Sequence, residues 1–290
     1  MRWLYLNGSL VQRDEATVSV HDPAVTDHDD PPHDRTLVET FRSHEGRVFR
    51  LAQHFERLRS GAPVLGLTIP LTLRDLETAI ADVLARNGTQ DARLRLTVSA
   101  GTGPLVLRLA KGDPRTNVTL TATALTGYPP ELYGRGMHAT IADVRRNETS
   151  PLSRIKCTAG LRDGILARER AREAGFDEAI MLNNHGTVAE ATVCNVFVVR
   201  KGRLLTPTIE CGALPGVTRA AVLDLARESG IDATETDLTL DGLRTSDEAF
   251  LTNSVMGVMP LTRLQGVPIG DGGLGRLTEQ LSRRYREAVA

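Results

Sequence analysis

Apolar residues flank Asn7-Gly8 in WLYLNGSLVQ, which predicts two short strands joined by a tight hairpin turn. In RVFRLAQHFERLRSGAPVLGL the spacing of Leu51, Phe55 and Leu58 is that of one helix face. LTLRDLETAIADVLARNG predicts a second amphipathic helix, stopped at Asn87-Gly88. The period then shortens: ARLRLTVSAG, PLVLRLA and NVTLTATAL alternate as half-buried strands do. Periodicity is lost in TGYPPELYGRG, which reads as a linker. Beyond it, AGLRDGILARERAREAGF predicts a helix ending at Gly175. DEAIMLNNHGTVAEATVCNVFVVRKGRLLTP predicts a strand meander, turning at Asn184-His185-Gly186 and at Lys201-Gly202. LPGVTRAAVLDLARESG predicts a helix opened by Pro215 and Gly216 and closed by Gly230. The pattern predicts an α/β chain of the two-lobe α+β kind. A small N-terminal lobe covers residues 1–123, a linker 124–134 and a larger C-terminal lobe 135–290.

Composition narrows the partners. Against 35 basic residues stand 36 acidic ones, for a net charge of −1, which removes the electrostatic case for nucleic acid or an anionic membrane surface and leaves a small molecule as the expected partner. Cys157, Cys194 and Cys211 are odd in number and lack metal-ligand spacing, which fits a reducing cytoplasm. The amino terminus has no continuous apolar stretch of the signal-peptide kind, and no run reaches membrane-spanning length. His21, His28 and His33, with Asp22, Asp27, Asp29 and Asp30, lie in a Pro-broken acidic stretch that reads as a solvated loop, so no metal is expected. His185 reads as a turn residue, and Cys157 and Cys194 as small core fillers.

Chemistry concentrates at SPLSRIKCTAG. Lys156 follows apolar Ile155 and precedes a helix start, where poor solvation of its charged form would make the amine a better nucleophile toward an aldehyde. The common aldehyde of this kind is pyridoxal phosphate, whose ring nitrogen takes an acidic partner. Glu190, inward-pointing on the strand after NNHGTV, can supply that acid. The helix start PGVTR offers amides and a favourable dipole to a phosphate. Each feature also has an ordinary structural reading, as a helix-start lysine, a buried strand acid and a helix cap.

The motifs SRIK, VAEATVCNVFVV, LLTP, LPGVTRAAVLDLA and EAFLTNSVMGVMPL stand in the order and spacing of the class IV aminotransferases, pyridoxal-phosphate enzymes of fold type IV. The chain resembles that family from VFRLAQHFERL to VMPL. The resemblance implies pyridoxal 5'-phosphate as cofactor, Lys156 as its Schiff-base lysine and Glu190 as partner of the ring nitrogen. Arg50, Val217, Thr218, Asn253 and Ser254 would hold its phosphate. It also implies a homodimer with the active site between the lobes, and transfer of an amino group between a small amino acid or amine and a keto acid in ping-pong half-reactions. Within the family, NSVMGVMPL and Thr40, a residue implicated there in proton delivery, resemble the aminodeoxychorismate lyases, which release pyruvate to form 4-aminobenzoate.

The chain departs from the family in three places. Leu161 replaces the tyrosine of branched-chain enzymes, which argues against that subgroup. Asp34, Arg35 and Thr36 replace a Gly-Asp-Gly turn, and Ala100 and Leu105 stand where arginines for substrate carboxylates are expected. Arg35 is then the candidate substrate contact, the other reading being a surface pair with Asp29 or Asp30. Three functions remain open at this point: an aminotransferase, a lyase, and a cofactor-binding homologue without catalysis.

Overall fold

Alternation along the first third of the chain becomes an antiparallel sheet. The computed structural model describes residues 1–17, 35–100 and 116–290. Those residues fall into two units, one of Met1–Thr126 with Ile155–Ala159, the other of Gly127–Arg154 with Gly160–Ala290. The stretch 104–110, expected as a strand, lies outside the described residues, as do the histidines and aspartates of 21–33.

In the first unit, β1 (Trp3–Leu6) and β2 (Ser9–Gln12) form the expected hairpin. Asn7 and Gly8 both have positive φ, 49° and 94°, the backbone a two-residue turn needs to follow the strand twist. Then come β3 (Thr36–His44), β4 (Arg47–Val48), helix α1 (Leu51–Gly61), helix α2 (Leu73–Arg86), β5 (Ala92–Ser99) and β6 (Asn117–Ala124). The described strands lie in the order β2-β1-β6-β5-β3-β4. On β5, Leu94, Leu96 and Val98 are buried while Arg93 and Arg95 face outward, so the two-residue period sorts core from surface. Helix α2 starts at a capping box, in which Thr72 Oγ1 accepts from Asp75 N at 3.2 Å and Asp75 Oδ2 accepts from Thr72 N at 2.8 Å. Its Leu76, Ala79, Ile80, Val83 and Leu84 are buried, one helical stripe that packs on β1 and β6. Helix α1 packs on β3.

The second unit opens with α3 (Pro130–Arg135), a short helix inside the stretch read as linker. Pro130 at its first position and Gly136 after its last residue start and stop it, a local signal too short to register as periodicity. There follow β7 (Met137–Arg146), α4 (Thr158–Glu173), β8 (Glu178–Asn183), β9 (Thr187–Ala191), β10 (Asn195–Arg200), β11 (Arg203–Pro207), α5 (Val217–Glu228), β12 (Ala233–Thr236) and β13 (Leu238–Thr239). The chain ends with α6 (Leu240–Arg244), β14 (Glu248–Asn253), β15 (Gly257–Leu264), β16 (Val267–Pro268) and α7 (Arg276–Val289). The described strands follow the path β12-β11-β10-β14-β15-β7-β8-β9-β13, with β16 on β15.

The expected meander breaks in the middle. VAEATVCNVFVV is two strands, because Ala191 N–H closes on Cys194 O at 2.7 Å and bends the chain at Thr192–Cys194. As a result β9 pairs with β8 and β13, whereas β10 pairs with β11 and β14. Helix α4 packs hard against that bend: a Cβ on Gly164 would lie 2.5 Å from Thr192 O. Every residue of β8 is buried, the continuous apolar character of a strand covered on both faces.

Candidate active site

Lys156 sits at the apex of a three-residue turn. Cys157 N–H donates to Ile155 O at 3.1 Å, Val38 N–H donates to Lys156 O at 2.9 Å, and Cys157 bridges Leu37. The lysine backbone is therefore tied to β3 of the first unit, and its side chain is half-buried.

The same strand carries Thr40, paired directly with Arg95 of β5, so the two side chains share one sheet face. Arg35 precedes β3. Its carbonyl accepts from Ala100 N–H at 3.2 Å, extending the β3–β5 ladder, and its guanidinium points to the Gly66 turn, where a Cβ would lie 3.9 Å away. Asp29 and Asp30, its alternative partners, lie outside the described residues.

Arg50 stands immediately before α1 with φ 54° and ψ 40°, a left-handed backbone that costs a non-glycine residue about 1–2 kcal/mol. Its carbonyl accepts the N–H groups of Gln53 and His54 at 3.0 and 3.2 Å, its Nη1 reaches Gln53 Oε1 at 3.3 Å, and the guanidinium lies 5.4 Å from the Phe49 ring centre. Strain of this kind collects where a side chain must be aimed.

The other predicted residues lie in the second unit. Glu190 is on β9, 8% exposed. Its Oε1 is 3.1 Å from Arg146 Nη2, and its Oε2 accepts from Leu214 N–H at 2.9 Å. Arg146 is itself buried and donates to the carbonyls of Gly212, Gly160 and Ser153 at 3.2, 2.7 and 2.9 Å. Val217 and Thr218 begin α5 after Gly216, where the first-turn amides have no carbonyl within the helix. Gly216 is required by space: a Cβ there would lie 2.0 Å from Asn195 Oδ1. Thr218 Oγ1 lies 3.4 Å from both Ser254 Oγ and Tyr285 Oη, so three hydroxyls gather at the start of α5.

Asn253 holds the turn that follows it. Its Oδ1 accepts from the N–H groups of Val255 and Met256 at 3.0 and 2.8 Å, and its Nδ2 reaches Cys194 Sγ at 3.2 Å. The carboxamide shapes the turn that presents Ser254.

Sequence reasoning missed Arg146, Tyr285 and the buried group Glu39, His54 and Arg57. Arg146 could have been found from the rule that a buried acid needs a partner. Tyr285 lies far along the chain, in α7, and carried no such signal. Among the described residues no cluster fit for a metal occurs, and no helix is long and apolar enough to cross a membrane.

Residues 36–264 match the family model Amino-transferase class IV. The chain belongs to this family. Over 98% of its length it is 34% identical to a Methanocaldococcus jannaschii protein, provisionally named a branched-chain-amino-acid aminotransferase, of which it covers 95%. It is 28% identical to the D-alanine aminotransferase of Listeria monocytogenes, covering 98% of this chain and 95% of that one. The branched-chain amino acid aminotransferase of Thermobaculum terrenum, solved in its PLP form, superposes at a TM-score of 0.86 with 28% identity, covering 99% of this chain and 94% of the other. The fold is therefore that of the type IV enzymes. Leu161 separates this chain from the branched-chain group less than its substitution implied, since relatives bearing that name align along nearly all of it. These relatives are named aminotransferases, and the lyase reading is not carried forward.

The residues fit pyridoxal phosphate. Glu190 lies 3.1 Å from Arg146 and accepts the Leu214 N–H at 2.9 Å, and an acid held in place this way is the kind of partner that a pyridine ring nitrogen takes. The amides, hydroxyls and space-limited glycine at the start of α5 suit a phosphate.

Proposed function

We propose that the chain is a pyridoxal-phosphate-dependent aminotransferase moving an amino group from a small aliphatic amino acid to a keto acid in ping-pong halves. The observation that carries the reading is Lys156, a half-buried amine whose backbone is locked to β3, in a chain of this family. When bound, the cofactor supplies an electron sink for the charge left as the donor Cα loses its proton. Lys156 Nζ would hold the cofactor aldehyde and, once the donor amine displaces it, carry that Cα proton. Glu190 would keep a proton on the ring nitrogen. Arg50, the amides of Val217 and Thr218, and the hydroxyls of Thr218 and Ser254 would hold the phosphate, with Asn253 shaping the Ser254 turn.

For the donor carboxylate the first unit offers Arg35 and Arg95. Arg95 has its pKa lowered by loss of surrounding water and by the like charge of Arg93, and an anion there would relieve both. Thr40, opposite Arg95, would border the same subsite. The assembly expected is a cytoplasmic homodimer, which light scattering on the eluted protein would test.

The decisive experiment is borohydride reduction of the purified protein followed by peptide mass spectrometry. Pyridoxyl on Lys156 supports the reading; pyridoxyl on another lysine, or on none, overturns it. The same preparation, mixed with L-branched-chain donors, D-alanine and amines without a carboxylate, reports the donor class by conversion of the cofactor to its amine form. Arg95→Ala and Arg35→Ala should slow carboxylate-bearing donors only, and an equal rate with every donor would remove both from recognition.

A further inference from the structure

We infer that Glu39, His54 and Arg57 form a positioning clamp that sets Arg50 at a fixed place relative to Lys156. The inference rests on the proposed cofactor role of those two residues. Glu39 lies on β3 and is 0% exposed. Arg57 donates to it twice, Nε to Oε1 at 2.8 Å and Nη2 to Oε2 at 2.7 Å, and His54 Nδ1 lies 2.7 Å from Oε2. Both partners are on α1, three residues apart, so they present one face of the helix to one carboxylate. An Arg–carboxylate fork fixes orientation as well as distance, which a single hydrogen bond would not.

What the clamp fixes follows from its neighbours in chain and space. One turn ahead of His54, the helix opens at Arg50, whose carbonyl accepts His54 N–H at 3.2 Å. One residue before Glu39, Val38 N–H holds Lys156 O at 2.9 Å, and Leu37 bridges Cys157. At the far end of α1, a Cβ on Gly61 would lie 3.1 Å from Leu37 and 3.3 Å from Ile155, so the helix lies against the lysine segment. Strand β3 thus carries the lysine by its backbone and the arginine-bearing helix by one side chain. The left-handed backbone of Arg50 needs such a hold, because a free helix start would relax out of it. Arg57 and His54 hold the Glu39 carboxyl down at about 2 despite burial, which alone would raise it, so the clamp stays ionic under all ordinary conditions.

Breaking the clamp should misplace Arg50 and leave Lys156 in position, since the lysine is tied through backbone groups. The test compares pyridoxal phosphate with pyridoxal, which has the aldehyde and no phosphate, by visible titration of the full chain. Borohydride labelling of Lys156 in the wild type comes first; its absence would overturn the cofactor reading and, with it, the clamp's part in setting Arg50. Given labelling, Glu39→Gln should weaken phosphate-bearing cofactor about tenfold or more, the scale of one charge-assisted contact, with the pyridoxal affinity changed far less. Glu39→Gln added to Arg50→Ala should cost little further, because both remove the same contact. A purely structural Glu39 would weaken both cofactors alike and add fully to Arg50→Ala, and either result overturns the inference. If Glu39→Gln does not fold, Arg57→Lys, which keeps the charge and loses the fork, should show the same selective loss.

Discussion

Glu39 in the first unit and Glu190 in the second are both buried carboxylates facing an arginine, yet they are tied down in different ways. Glu39 is wholly enclosed and takes three contacts from two side chains of one helix. Glu190 meets Arg146 at 3.1 Å and accepts from the backbone amide of Leu214, and it keeps a small exposure of 8%. The partners differ as well. Arg57 grips Glu39 through one guanidinium edge, Nε and Nη2, whereas Arg146 is held by three carbonyls independently of Glu190. Glu39 is thus bound to one helix by a two-point fork, whereas Glu190 shares an arginine that the backbone also holds.

The largest expected effect separates the two by function. Glu190→Gln should lower the half-reaction rate at saturating donor by about two to three orders of magnitude, since a neutral amide cannot balance a protonated ring nitrogen. Its unfolding midpoint should hardly move, because Arg146 keeps its carbonyls. Glu39→Gln should do the reverse in stability, costing about 3–5 kcal/mol by leaving the Arg57 charge buried without its partner. Denaturant unfolding and stopped-flow spectra on both variants check the pair, and equal stability losses would erase the distinction.

A second expected effect is the response to acid. The folded-state pKa of Glu39 is lowered from 4.5 to about 2, so its contribution is fully present above 4.5 and is lost as pH falls from there through about 2. His54 is also shifted down, by burial above all, which outweighs the pull of Glu39; its neutral form is the folded one, and its contribution too fades as pH falls below the ordinary value of 6.5. Both signs agree. Wild-type stability should therefore decline in two stages on acidification, and Glu39→Gln should flatten the lower one in urea melts taken across that range.

The smallest expected effect is His54→Gln. A glutamine amide can still donate to Glu39 while the Arg57 fork stays in place, so the loss should be about 1 kcal/mol, seen as a shift in unfolding midpoint. A loss as large as that of Glu39→Gln would mean that the imidazole, and not the fork, carries the clamp.

Much of this contrast was legible in the sequence for Glu190 and little of it for Glu39. Glu190 interrupts an apolar strand whose neighbours announce burial, and the motif order around Lys156 and PGVT points to the same cofactor. Glu39 stands in TLVETF, where alternation allows either face, and its partners lie 15 and 18 residues on. Nothing in local periodicity joins those positions; only the packing of α1 on β3 does. The hairpin, α2 and α5 were readable because turn residues and caps act within a few positions. The break after Ala191 was not, because one backbone hydrogen bond to Cys194 decides it. The turn that Asn253 builds with Val255 and Met256 was not legible either, because it depends on where one carboxamide oxygen lies.

The lysine segment also bears on synthesis. The described strands of the first sheet have all been made once residue 124 leaves the ribosome, but Ile155–Ala159, which bridges β3 and packs beneath α1, follows only after Gly127–Arg154 of the other unit. The first sheet can therefore form early, while the surface around Leu37 and Gly61 waits for a later part of the chain. A fragment ending at Thr126 would expose that seam to water, and Lys156 and its seat would be joined only when the second half of the polypeptide is well under way.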